Sequence, residues 1–167
     1  DKKDHLAISL GSLNMNLPVL SRIHSQCITG ESFFSLRCDC RNQLTESLEQ
    51  IAKKGLGVIF YLQQEGRGIG LSNKIRAYNL QDRGLDTVEA NHELGFGEDE
   101  RSYEIVSNMI KYLGIQKIDL MTNNPKKIDA LKSLGVVINK RIPLLTNMNK
   151  HNKKYINTKI KKLGHLL

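Results

Sequence analysis

Cys27, Cys38 and Cys40 are the three cysteines of the chain, and they fall within fourteen residues, in C-ITGESFFSLR-C-D-C. An odd number of thiols cannot pair off completely as disulfides, and thiols this close together read as a metal site. If residues 36–40 are extended, Cys38 and Cys40 project to one face, because side chains alternate along a strand. Cys27, across a turn containing Gly30, then supplies a third corner. Three protein ligands on tetrahedral zinc leave one position open, the layout of a catalytic centre; a histidine such as His24 as fourth ligand would instead make the site structural. Three reduced, partly buried cysteines are the plainer alternative.

Other stretches suit anion chemistry. T-N-N-P-K-K, from Thr122 to Lys127, places Asn124 as a helix N-cap and Pro125 in the first helical position. Two lysines in a first turn oppose the helix dipole, which makes sense if an anion binds in front of them; otherwise they are solvated surface groups. E-G-R-G-I-G, from Glu65 to Gly70, combines glycines that permit close backbone approach with an arginine fork for phosphate. It is neither a P-loop nor a dinucleotide fingerprint, and a plain glycine-rich turn is the alternative. Asp99 and Arg101 precede a helix, where an Asp serves as a cap or as a general base.

The elements that must hold these residues are readable. β-rich runs at His5–Leu10, Val19–His24, Val58–Leu62, Lys117–Met121 and Val136–Arg141 alternate with helical periodicity. Leu44, Leu48, Ile51 and Ala52 predict a helix stopping at Gly55; Leu71, Ile75, Tyr78 and Leu80 predict another before Gly84. A third spans about Ser102 to Leu113, and a fourth runs from Pro125 to Gly135. The expected fold is α/β (α+β): a mixed sheet with flanking helices in one compact domain. Residues 1–145 form its catalytic part, and the polar, basic stretch 146–167 is expected as a loosely held tail of the same domain.

The chain has 167 residues, a length that suits a single core. Twenty-five Lys and Arg against 17 Asp and Glu give +8, a surface that attracts polyanions. With aromatics at 5% and no Trp, stacking platforms for single-stranded nucleic acid are poorly supplied, so nucleic acid is not expected as a partner. No apolar run approaches the roughly 20 residues of a membrane span, and the first residues lack a signal-peptide pattern, so a soluble, cytoplasmic protein is expected.

Taken together, these stretches resemble GTP cyclohydrolase II. The zinc-site pattern of that family appears as R-I-H-S-Q-C-I-T-G-E-S-F-F-S-L-R-C-D-C, from Arg22 to Cys40, followed by Q-Q-E-G-R-G-I-G-L, N-K-I-R-A-Y and D-T-V-E-A-N-H-E-L-G. D-E-R at 99–101, T-N-N-P-K-K, and K-L-G-H-L-L at the end complete the set. The resemblance implies that Cys27, Cys38 and Cys40 hold a catalytic Zn²⁺. It implies GTP contacts from Arg22, His24, Ser25, Gln26, Gln43, Glu65, Gly66, Arg67, Thr87, Thr122 and Lys127. Asp99 then matches the proton acceptor, Arg101 the nucleophile at the α-phosphate or an electrostatic clamp upon it, and Tyr78 a tyrosine near the purine. Mg²⁺ accompanying the triphosphate, a homodimer, and the opening step of riboflavin biosynthesis follow from the same likeness. Three positions depart from the family pattern: Gln26 for Glu, Arg41 for Gly and Gly68 for Asn. They motivate an alternative, a catalytically silent nucleotide-binding domain of the same fold with a partner or regulatory role.

Overall fold

The computed structural model describes residues 2–13, 16–145 and 148–166. Its centre is a five-stranded sheet in the order β1-β3-β2-β4-β5. The strands are β1 (Leu6–Leu10), β2 (Val19–Ser25), β3 (Gly57–Leu62), β4 (Ile118–Met121) and β5 (Ile138–Ile142). β1 pairs antiparallel with β3, and the remaining pairs are parallel. Each strand lies within two residues of its sequence-based position.

Burial on both faces explains why the parallel strands read as nearly continuous apolar runs. Along β3, Val58, Phe60 and Leu62 enter one core with Val19, Ile23, Ile118 and Leu120. Ile59 turns the other way, with Leu20 and Met121. Helix α2 (Cys40–Lys54) covers the second face through Ile51, while α5 (Glu104–Tyr112) and α6 (Pro125–Ser133) cover the first through Val106, Ile110 and Leu131. Removing a methylene-rich core side chain such as Phe60 or Ile23 would therefore open a cavity against close-packed neighbours.

The helix punctuation follows the sequence. α2 ends at Gly55, whose φ of 72° places it in the left-handed region that only glycine adopts without strain. α3 (Gly70–Asp82) precedes Gly84 as expected. The short α1 (Ile28–Glu31) and α4 (Thr87–Glu93) have no counterpart in the periodicity reading. α4 nevertheless carries a capping box, with Asp86 accepting from Glu89 N and Glu89 reaching back to Asp86 N. Among the described residues, no helix is long and apolar enough to cross a membrane.

Part of the stretch read as a basic tail is a helix, α7 (Lys153–Leu163), with Ile156, Thr158, Lys159 and Leu163 buried. Thr146, Asn147 and Leu167 of that stretch lie outside the described residues. Polar composition hid the helix because its burial is partly ionic: Lys159 Nζ sits 2.7 Å from Asp39 Oδ1, with both side chains nearly inaccessible. Beyond α7 the chain is tied back, as Leu166 N donates to Asn123 O at 2.8 Å.

Candidate functional site

The carboxyl ends of β2, β3 and β4 open into one cavity. The chain runs from β2 to β3 through α2 on one face, then from β3 over β2 to β4 through α5 on the other. The crevice left where such a sheet reverses its winding is where α/β folds take ligands.

The sulfurs of Cys27, Cys38 and Cys40 all lie within 4.8 Å of one another, and Cys27 and Cys38 approach to 3.6 Å. Tetrahedral zinc with bonds of about 2.3 Å would space its sulfur ligands by roughly 3.8 Å, so the donor set fits such an ion. All three cysteines are free. Gly30 keeps the space: a Cβ there would stand 2.9 Å from Cys38 Sγ and 3.2 Å from Cys27 Sγ. The arrangement does not arise from an extended 36–40 segment. Cys38 follows a turn at residues 36–37 and lies outside any strand, and Cys40 opens α2, so the helix start brings the sulfurs together rather than strand alternation. His24 is not a fourth donor in the described cluster; its Nε2 bonds Glu31 Oε1 at 2.7 Å and its ring stacks on Tyr61.

Protons are shared unequally among the thiols. Hydrogen bonds from Cys38 and Cys40, helped by Lys74, hold Cys27 far below the usual thiol range. Cys38 is pushed up to about 11, mainly by its hydrogen bond to Cys27, and Cys40 rises well above its ordinary value through bonds to both neighbours. Tyr78, whose hydroxyl lies 3.4 Å from Thr29 Oγ1, is also raised, chiefly by burial. It keeps its proton at neutral pH and offers a donor beside the sulfurs.

Cations crowd the same cavity. Arg22 Nη1 donates to Met121 O at 3.0 Å and Nη2 to Gln43 Oε1 at 2.6 Å, while its buried Nε finds no partner among the described residues. Burial lowers its pKa to about 10. Lys127 Nζ donates to Ile23 O at 2.9 Å and, among the described residues, makes no ion pair with a carboxylate. Burial, with Arg22 and Arg101 nearby, drives its pKa well down. Its neighbour Lys126 points outward to Glu98, so the adjacent lysines of T-N-N-P-K-K have different environments. Asn124 occupies the N-cap position of α6 without a side-chain cap bond, and its Oδ1 is another buried, unpartnered atom on the cavity wall. Unpaired buried cations and orphaned polar atoms facing one cavity are groups that an anionic, hydrogen-bonding ligand would satisfy.

Asp99 is not a helix cap. Its two carboxylate oxygens accept from Arg101 Nε, at 2.7 Å, and from Arg101 Nη2. Burial pushes the Asp99 pKa up, but this bidentate bond and the charges of Arg101 and Arg67 hold it below the usual carboxylate range. Arg101 also reaches Ser25 Oγ at 3.4 Å. The E-G-R-G segment is a tight turn, Glu65–Gly68, whose two inner residues are left-handed, Gly66 at φ 62° and Arg67 at φ 63°. A non-glycine residue in that region stores backbone strain, and such strain concentrates at ligand-binding turns. Gly68 follows at φ 97°, where a Cβ would stand 2.8 Å from Glu100 O, so packing against the D-E-R loop requires glycine there. The Arg41 guanidinium lies over the Phe34 ring, 4.4 Å from the centroid.

Every site residue expected from sequence lines this cavity, including Gln26, Gly66, Thr87 and Thr122. Sequence reasoning missed Lys74, Asp39, Tyr155, Lys159 and His165. Lys74 and Asp39 were legible only as neighbours of motif residues, and the last three come from the stretch read as a tail.

His165 predicts a pH dependence. Burial, followed by the charges of Lys159 and Arg67, lowers its pKa from the ordinary 6.5 to about 3, and burial also lowers that of His24. The folded state therefore binds fewer protons than the unfolded chain between about pH 6.5 and pH 3. The stabilisation is complete above pH 6.5 and is lost as pH falls through that window. The urea midpoint is expected to drop between pH 7.5 and pH 5.5, with a smaller drop in His165→Asn; equal drops would remove His165 from the account.

The comparisons with known proteins agree with the geometry. The family described as GTP cyclohydrolase II matches residues 1–143. A protein of Azotobacter vinelandii named GTP cyclohydrolase-2 is 57% identical over 165 residues, 99% of this chain and 79% of the relative. Proteins of the same name from Hahella chejuensis and Teredinibacter turnerae are 55% and 58% identical, over 99% of this chain and 80% and 83% of their own lengths. Identity this high along nearly the whole chain, three convergent thiols, and a cation-lined cavity at the sheet's carboxyl edge have one common explanation: the chain is an enzyme belonging to the GTP cyclohydrolase II family.

Proposed function

We propose that the chain hydrolyses GTP to 2,5-diamino-6-ribosylamino-4(3H)-pyrimidinone 5′-phosphate, formate and pyrophosphate, the first step of riboflavin biosynthesis, as a cytoplasmic homodimer. One observation carries the reading: a single cavity is lined both by the three-thiol cluster and by the buried Lys127 with Arg22 and Arg101, and among the described residues Lys127 makes no ion pair with a carboxylate. A purine nucleoside triphosphate offers a base for the one and an anion for the other.

Cys27, Cys38 and Cys40 would hold Zn²⁺, which supplies a Lewis acid beside the purine. Tyr78 keeps a proton at its hydroxyl and orients the base. Lys127, Arg22 and Arg67 offset the charge of the triphosphate, with Mg²⁺ carried in by the phosphates. Arg101 acts as an electrostatic clamp on the α-phosphate: Asp99 holds its guanidinium bidentately, which favours the charged form over a neutral nucleophile. As the phosphate draws Arg101 away, an Asp99 oxygen is released to accept a proton. Residues 1–145 carry most of this machinery, and 146–167 belong to the same domain.

The test is a product assay on GTP with zinc and magnesium, with metal content measured on the same sample. Formate and pyrophosphate release with about one zinc per chain is expected. GTP binding without turnover in fully zinc-loaded protein would favour the silent nucleotide-binding alternative, especially if Gln26→Glu restored activity.

A further inference from the structure

Lys74, in the second turn of α3, is nearly buried, with 9% of its surface exposed. Its ammonium lies 3.1 Å from Cys27 Sγ and 2.7 Å from Glu65 Oε1. Glu65 is fully engaged in turn: Oε2 accepts from Ile28 N at 2.7 Å, and Oε1 also accepts from Gly66 N at 2.9 Å. Ile28 directly follows Cys27, so the carboxylate holds the backbone of the thiol turn while the ammonium holds its sulfur.

A lysine ammonium carries three donors, and Glu65 takes one of them through Oε1. Here one ammonium donor is spent on sulfur, a weak acceptor unless it is ionised. Three thiolates around a dication leave an excess negative charge, and an ammonium touching one sulfur offsets that charge and withdraws electron density from the ligand. Hydrogen bonds to ligand atoms orient them and tune the metal in this way. We propose that Lys74 is a positioning residue for the metal centre, fixing and partly neutralising the Cys27 thiolate, and that Glu65 holds Lys74 and the Cys27–Ile28 turn in place. The proposal rests on the zinc reading of the thiol cluster.

The experiment measures Zn²⁺ affinity by competition with a chromogenic chelator, and the thiolate-to-metal charge-transfer absorption of the Co²⁺-loaded protein. Lys74→Met is expected to weaken Zn²⁺ binding about 10- to 100-fold and to shift the Co²⁺ band. Lys74→Arg, which keeps the positive charge and donors, should recover part of both. Lys74→Gln carries the same expectation as the methionine variant if methionine is not tolerated in the fold. In turnover, kcat should fall with KM for GTP nearly unchanged. Wild-type affinity and an unshifted band in Lys74→Met, or in Lys74→Gln, would overturn the role of Lys74 alone. Failure of the unmodified protein to take up zinc would overturn the functional reading beneath it.

Discussion

Cys38→Ser is expected to abolish formate release from GTP while leaving measurable release of pyrophosphate. A serine hydroxyl does not ionise at neutral pH as a metal-bound thiol does, so two thiolates remain where three converge. Formate release should fall by well over the 10- to 100-fold typical of losing even an outer partner of a metal ligand. The cations have anchors of their own, although Arg22 also reaches Gln43, which bonds Asp39 beside Cys38. Lys127 is held by Ile23 O and Arg22 by Met121 O, both on strand backbones, and neither bond passes through Cys38. Quantifying the two products on one sample decides the matter, because equal loss of both would mean that the thiol cluster and the phosphate-binding cations do not work independently.

Lys159→Met should unfold more easily by about 3 kcal/mol, the lower end of the range for removing one partner of a buried ion pair. Asp39 is 3% exposed, and its carboxylate would lose its ammonium while keeping the bond from Gln43 Nε2 at 2.6 Å. The effect should extend to the metal centre, since Asp39 sits between Cys38 and Cys40 and Gln43 passes the contact on to Arg22. Urea unfolding gives the stability change, and chelator competition gives the effect on zinc. Asp39→Asn combined with Lys159→Met should recover much of the stability, because the uncompensated charge is then gone. A loss below about 1 kcal/mol in the single variant would show that the pair is not holding α7 to the thiol turn.

Short-range patterns are legible in the chain itself. Strand positions, the stops of α2 and α3 at Gly55 and before Gly84, and the Pro125 start of α6 all follow from local propensity and from which glycines tolerate left-handed φ. The three cysteines announce a metal site by spacing alone. Their geometry does not follow from strand alternation, because the start of α2 at Cys40 decides how they converge. Likewise, Lys126 and Lys127 are indistinguishable in sequence, yet one is solvated against Glu98 and the other buried under the sheet edge.

The amino-acid order by itself therefore determined the alternation of strands and helices, the identity of the thiol cluster and the family to which these motifs belong. Only the tertiary structure decided that α7 closes over the site through Lys159 and Asp39, which are 120 residues apart, and that Lys74 reaches Cys27 across 47. Periodicity reports which face of an element is apolar, but a buried ionic contact leaves no such period. Its partners are chosen by the winding of the sheet, which brings distant charges into one low-dielectric cavity where each must find a counterion or await a ligand.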